Sequence, residues 1–319
     1  MNIKFCPEVQ DIEKLFLYLS IEKNNEQMAV NSAYINNLSV LPWYTSLEQQ
    51  NARKWWMYGK VYPLFTPAMF MLPFQIIREH DDSHGTITSF KLYKATGEEV
   101  VDLTSRMNGF MTIKRFTDYD IWIYPGRFPL FSRLDNGQYY AKISDGVNTW
   151  YSEIFTAVND IRPYLKIEWW DVEDFVMDAG TIVYTEPLFH NVLYLIADIA
   201  KPEYPFEEEG EIRDGYFFPV KQISEKRYRF HFLASEYLLD AMRFIRMSDY
   251  VQITYKGQAY KPDTFLLTPN WEDNGDIAAV EAEFDTATVA KKIGRGYTIP
   301  SGGDFNDDYS DDFDKTENS

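Results

Sequence analysis

Along residues 226–257, KRYRFHFLASEYLLDAMRFIRMSDYVQITYKG, the spacing of apolar positions changes twice. Tyr228, Phe230 and Phe232 alternate with Arg227, Arg229 and His231, the period-two pattern of a strand with one wet face. Leu238, Leu239, Met242 and Ile245 then recur at helical spacing. Ser235 suits an N-cap, Glu236 a first turn, and Arg243 and Arg246 a C-terminal end. The pattern predicts one helix over 235–247. Burial of its four apolar side chains gives roughly 1.5–3 kcal/mol each, and one sheet face is enough to receive them. Val251, Ile253 and Tyr255 alternate again before Lys256-Gly257 turns the chain.

The same alternation predicts strands elsewhere. ITSFKLYKATGEEVVDL (87–103) reads as strand, turn and strand, with Gly97 in the turn. In DNGQYYAKISDGVNTWYSEIFTAV (135–158), Tyr139, Ala141 and Ile143 share a face, and Asp145-Gly146 is a hairpin signal. Trp150, Ser152 and Ile154 then alternate with Tyr151, Glu153 and Phe155. Leu165, Ile167 and Trp169 face one way in YLKIEWWDVEDF, and Lys166, Glu168 and Trp170 the other. NVLYLIADI (191–199) reads as a buried strand, PEYPFEEEGEIRDG (202–215) as a charged loop, and DIAAVEAEFD (276–285) as a last strand. The fold class expected is mainly β, with two sandwich-like domains. The first covers 75–160. The second, 161–297, is a tube-like sheet domain flanked by the helix.

Residues 1–74 are largely irregular, apart from a short helix that residues 11–19 could form with Leu15, Phe16 and Leu19 on one face. VYPLFTPAMFMLPF (61–74) is apolar but broken by Pro63, Pro67 and Pro73, so it reads as extended chain laid on a surface. That surface is either the protein's own core or a neighbouring subunit. An arm of the second kind would present Trp55, Trp56, Phe70 and Phe74. The acidic tail 298–319 is expected to remain unstructured: residues 302–319 hold seven Asp or Glu against one Lys. Phe305, Tyr309 and Phe313 recur in it every four residues, each beside an Asp, and could dock on a partner.

Composition narrows the possible partners. Aromatic residues make up 17% of the 319, which favours strands and large buried areas. The formal net charge of −18 argues against wrapping nucleic acid or lying on an anionic membrane. The single cysteine, Cys6, excludes an internal disulfide framework and suits synthesis in a reducing cytoplasm. The N-terminal segment does not read as a signal peptide, because Glu8, Asp11 and Glu13 precede a short apolar run. No apolar run reaches the ~20 residues of a spanning helix.

Candidate chemistry is sparse. There is no phosphate-cradling glycine loop, GxSxG, HExxH or cysteine pair. His80 and His84 in HDDSH have a metal-like spacing, but Asp81, Asp82, Ser83 and Gly85 make the segment a turn. The run Glu207–Asp214 could bind Ca²⁺ weakly, although its oxygen ligands do not alternate as in a calcium loop. No catalytic residue, metal site or cofactor is expected.

Two resemblances follow from these stretches. The hairpin at 135–158 resembles the last hairpin of immunoglobulin-like or fibronectin-like sandwiches, without the antibody disulfide. KRYRFHFLASEYLLDAMRFIRMSDYVQITYKGQAY with the closing AAVEAEFDT resembles the strand-to-helix segment and final strand of distal tail and tail-tube proteins of tailed phages. The resemblance spans about 130 residues in order and shape, without a diagnostic motif. It implies a non-enzymatic, ring-forming structural protein of a virion (tail, neck or baseplate), assembled in the host cytoplasm with copies of itself and other virion proteins. The alternative is a carbohydrate-binding or host-adhesion module that stacks Trp55, Trp56, Trp169 or Trp170 on a host glycan. In a strand only one residue of each Trp pair can be exposed.

Overall fold

The computed structural model describes residues 39–48, 64–79, 86–115, 119–126, 133–172, 175–176, 182–183, 189–213, 215–271, 277–286 and 290–293. Cys6, the short helix expected over 11–19, Trp55, Trp56, His80, His84, Phe305, Tyr309 and Phe313 lie outside them. By packing, the described residues fall into two units, one within 1–202 and 227–287 and one within 203–226 and 288–319.

The fold is mainly β. In chain order come β1 (Trp43–Tyr44), β2 (Phe65–Pro67), β3 (Phe74–Glu79), β4 (Ser89–Lys94), β5 (Glu99–Asp102), α1 (Thr104–Phe110), β6 (Thr112–Arg115), β7 (Tyr119–Tyr124), β8 (Gly137–Ser144), β9 (Thr149–Ser152) and β10 (Phe155–Val158). Next are β11 (Leu165–Trp170), β12 (Phe175–Val176), β13 (Ile182–Val183), β14 (Asn191–Leu195), β15 (Phe206–Arg213) and β16 (Tyr216–Ser224). The last are β17 (Arg227–Ser235), α2 (Glu236–Met242), β18 (Tyr250–Tyr255), β19 (Gln258–Tyr260), β20 (Pro262–Trp271), β21 (Ile277–Thr286) and β22 (Ala290–Ile293).

The first unit begins as a sandwich. One sheet runs β1-β9-β8-β10-β2, with β4 on the other edge of β8 and β5 beyond it. The facing sheet is β3-β7-β6. Aromatic rings bridge the two: Trp43 lies 4.7 Å from Phe74, and Trp122 meets Trp150 edge-on at 5.3 Å. Residues 39–44 and 64–74 are built into this sandwich. β1 pairs with β9 and β2 runs parallel to β10, while Val40, Leu41, Leu64, Met71 and Leu72 are buried. Of the two surfaces open to the Pro-punctuated run, its described part therefore covers the protein's own core. Only glycine fits at Gly126. Its φ is +72°, and a Cβ there would stand 2.9 Å from the ring and backbone nitrogen of Pro73.

The alternation expected from Trp150 through Phe155 breaks at Glu153-Ile154. Trp150 and Ser152 are buried on one phase, Phe155 and Ala157 on the next. Two polar side chains hold the break. Ser152 Oγ accepts from the Ala141 N–H at 2.8 Å, and Glu153 Oε1 accepts from the Ile154 N–H at 2.8 Å. One run thereby serves as two strands, β9 and β10, along the same edge of β8.

Two further sheets of this unit are β14-β11-β18-β19 and β17-β21-β20, and β12 pairs with β13 as a two-stranded sheet. Leu165, Ile167, Trp169, Leu193 and Ile253 of the first share a continuous core with Phe230, Ala282 and Phe284 of the second. α2 adds Leu238, Ala241 and Met242 to it. The helix is shorter than its pattern suggests. It ends at Met242, and Ile245–Met247 form a 3₁₀ turn that still buries Ile245. Ser235 occupies the N-cap position without a side-chain cap bond, because it is also the last residue of β17, opposite Ile277. No helix among the described residues is long and apolar enough to cross a membrane.

In the second unit, β15, β16 and β22 form a small antiparallel sheet. The charged segment expected to be a loop is therefore a strand over Phe206–Arg213. It lacks apolar alternation because it covers no core. Its cross-strand contacts are polar: Glu209 pairs with Lys221 at 3.2 Å, and Glu208 accepts from Gln222.

Candidate docking surfaces

Among the described residues, no group of three or more His, Cys, Asp or Glu is placed to hold a metal ion. The residues singled out from sequence divide sharply. Phe74 is fully buried and cannot meet a partner. Its ring lies among Trp43, Phe90 and Tyr124. Phe70 is half-buried, and its carbonyl accepts from Thr66 Oγ1 at 3.0 Å. Three exposed surfaces lie elsewhere.

The first is the hairpin β15–β16. Its strands pair from Phe206↔Ser224 to Arg213↔Tyr216, with a bulge at Glu209/Gly210. Among the described residues β22 pairs only with Lys221–Ser224, and the distal part is a two-stranded ribbon. Such ribbons are marginal in water unless something covers a face. Yet this one carries large apolar side chains towards its tip. Ile212 is 78% and Tyr216 72% exposed, and Phe217 is also exposed. Residues 207–214 hold five acidic residues against one Arg. The available signal was Asp214-Gly215, an Asp-Gly turn before the apolar run YFFPV. Gly215 has φ +84°, as the turn requires.

The second is an open groove of about 210 Å³ beside β20, lined by Met242, Arg243, Arg246, Phe265, Leu266 and Leu267. It is smaller than the roughly 300–1,000 Å³ usual for small-molecule sites. Its floor is apolar and its rim cationic. Arg243 stands 3.9 Å from Asp240, and no ion pair joins Arg246 among the described residues. By contrast, the arginines of β17 are neutralised. Arg227 pairs with Asp285 at 2.9 Å and Arg229 with Glu283 at 2.7 Å. Among the described residues β20 is also the outermost strand of its sheet, with no strand paired to its other edge.

The third is a row of rings. Trp170 of β11 and Tyr250 of β18 stand on adjacent strands and His190 immediately precedes the neighbouring β14, with centroids 4.2 Å (His190–Trp170) and 5.4 Å (Trp170–Tyr250) apart and planes 11° from parallel. Trp170 thus has a ring against each face. A sugar stacks on a face, so the outer face of half-exposed Tyr250 is the platform this row offers, rather than Trp170. Trp169, the other member of the pair, is buried. The loops beside the row clasp each other. The Asp171 carboxylate accepts from the Asp249 N–H at 2.9 Å, and the Asp249 carboxylate from the Val172 N–H at 3.0 Å. Burial pushes the Asp171 carboxyl above its ordinary value, and the Asp249 charge adds to the rise.

A scan against protein-family models returns no match, and a search of curated proteins returns none either.

Proposed function

We propose that this chain is a non-enzymatic structural component of a tailed-phage virion, a ring of the tail, neck or baseplate that acts through subunit–subunit contacts. The hairpin β15–β16 carries this reading. A ribbon with exposed Ile212, Tyr216 and Phe217 gains its stability when a partner covers it. β20, outermost in its sheet among the described residues, supports it too, because a free edge that is a liability in a monomer is a joint in a ring. A net charge of −18 keeps such a subunit soluble before assembly. The partners are copies of the chain and other virion proteins, met in the host cytoplasm.

The test is the mass of the full chain by light scattering over a concentration series, with negative-stain images of the heaviest fraction. A closed multimer is the expected result. A monomer throughout contradicts the reading. A second reading, host-glycan binding, draws on the outer face of Tyr250.

A further inference from the structure

We infer that the hairpin β15–β16 of one copy docks in the Arg243–Arg246 groove of a second copy, with its acidic strand β15 alongside the free edge of β20. The inference rests on the assembly reading and names the joint. Three observations single out this pairing. The first is charge. The chain is acidic as a whole, yet the groove rim carries two arginines, and among the described residues only Arg243 is ion-paired, to Asp240 at 3.9 Å. Strand β15 carries Glu207, Glu208, Glu209 and Glu211, of which Glu211 lies in the distal part and Glu209 pairs with Lys221 at 3.2 Å. The second is apolar surface. Leu266 and Met247 are exposed beside the groove, as Ile212, Tyr216 and Phe217 are on the arm. The third is backbone. Among the described residues β15 and β20 are each the outermost strand of a sheet, so each offers outward N–H and C=O groups, interrupted in β20 by the prolines Pro262 and Pro269, that a strand from another chain can pair with. Arm and groove are different surfaces, which makes the contact heterologous. Repeated, it closes into a ring or runs on as a filament.

A heterologous contact has a diagnostic that a self-complementary one lacks. One variant, Arg243→Glu with Arg246→Glu, keeps the arm and loses the groove. Another, Ile212→Ser with Tyr216→Ser and Phe217→Ser, keeps the groove and loses the arm. All these side chains are exposed, so the core is untouched. Light scattering is expected to find the wild type multimeric and each variant monomeric. Their equimolar mixture is expected to stop at a two-chain species, because a single arm–groove pair forms and no second one can. If the wild type assembles and both variants assemble equally well, this joint is wrong while the assembly reading stands. A wild type monomeric at every concentration overturns both. If assembly survives the arm variant but is lost on removing 298–319, the acidic tail occupies the groove and the arm does not.

Discussion

Replacing Arg78 by Met is expected to destabilise the protein by about 3–5 kcal/mol, the usual cost of removing one partner from a buried ion pair. Arg78 Nη1 lies 3.3 Å from the Asp145 carboxylate, with the side chains 2% and 0% exposed. Asp145 also holds its own turn, accepting from the backbone N–H groups of Val147 at 2.9 Å and Asn148 at 2.6 Å. The pair therefore ties the β8–β9 hairpin of one sheet to β3 of the other. With Arg78 gone, the carboxylate remains buried without this cation, and the guanidinium contact over Trp122 at 5.6 Å is lost as well. A total stability of about 5–15 kcal/mol makes such a loss visible as an early thermal transition. Asp145→Asn in the same chain should recover a large part. The amide oxygen still accepts from the turn, and no charge is left to desolvate. Thermal unfolding of the two single variants and the double variant measures this. A single-variant loss below about 1 kcal/mol, in the range of exposed pairs, would contradict it.

Phe74→Ala is expected to cost about 3–5 kcal/mol, the range for emptying a buried aromatic site. Phe74 is fully buried, 4.7 Å from the Trp43 ring, 5.3 Å from Tyr124, and stacked on Phe90 at 6.4 Å. Large, mutually bracing rings collapse poorly into a void. Denaturant midpoints with an unchanged slope are the measurement. Were Phe74 a docking residue, as the sequence also allows, the variant would keep its stability and lose only assembly.

These two cases mark what the sequence carries. Strands with one face on a core were legible. Tyr139, Ala141 and Ile143, or Ala278, Val280, Ala282 and Phe284, alternate because burial selects every second residue. The helix was legible for the same reason, through Leu238 and Met242, while Ile245 is buried from the 3₁₀ turn that follows it. Phe74 was ambiguous because a core and an interface select the same large apolar residues. The Arg78–Asp145 pair was invisible, since the partners meet only through sheet packing. β15 was misread because neither of its faces meets a core, so its composition is that of a loop. That is also why the candidate site was largely hidden. The arm and the groove rim are made of exposed residues, whose spacing no internal packing disciplines. Only the Asp214-Gly215 turn pointed to the arm.

The most direct measurement is amide hydrogen exchange of the full chain across a dilution series. A bare two-stranded ribbon opens readily, so its amides exchange fast unless a partner covers them. In dilute protein, β15 and the distal part of β16 should exchange quickly. On concentration they should become protected together with β20, while the Phe230 and Phe284 strands stay slow throughout. Exchange in 206–217 that is the same at every concentration, in protein whose mass rises with concentration, would contradict a role for this hairpin in holding the subunits together.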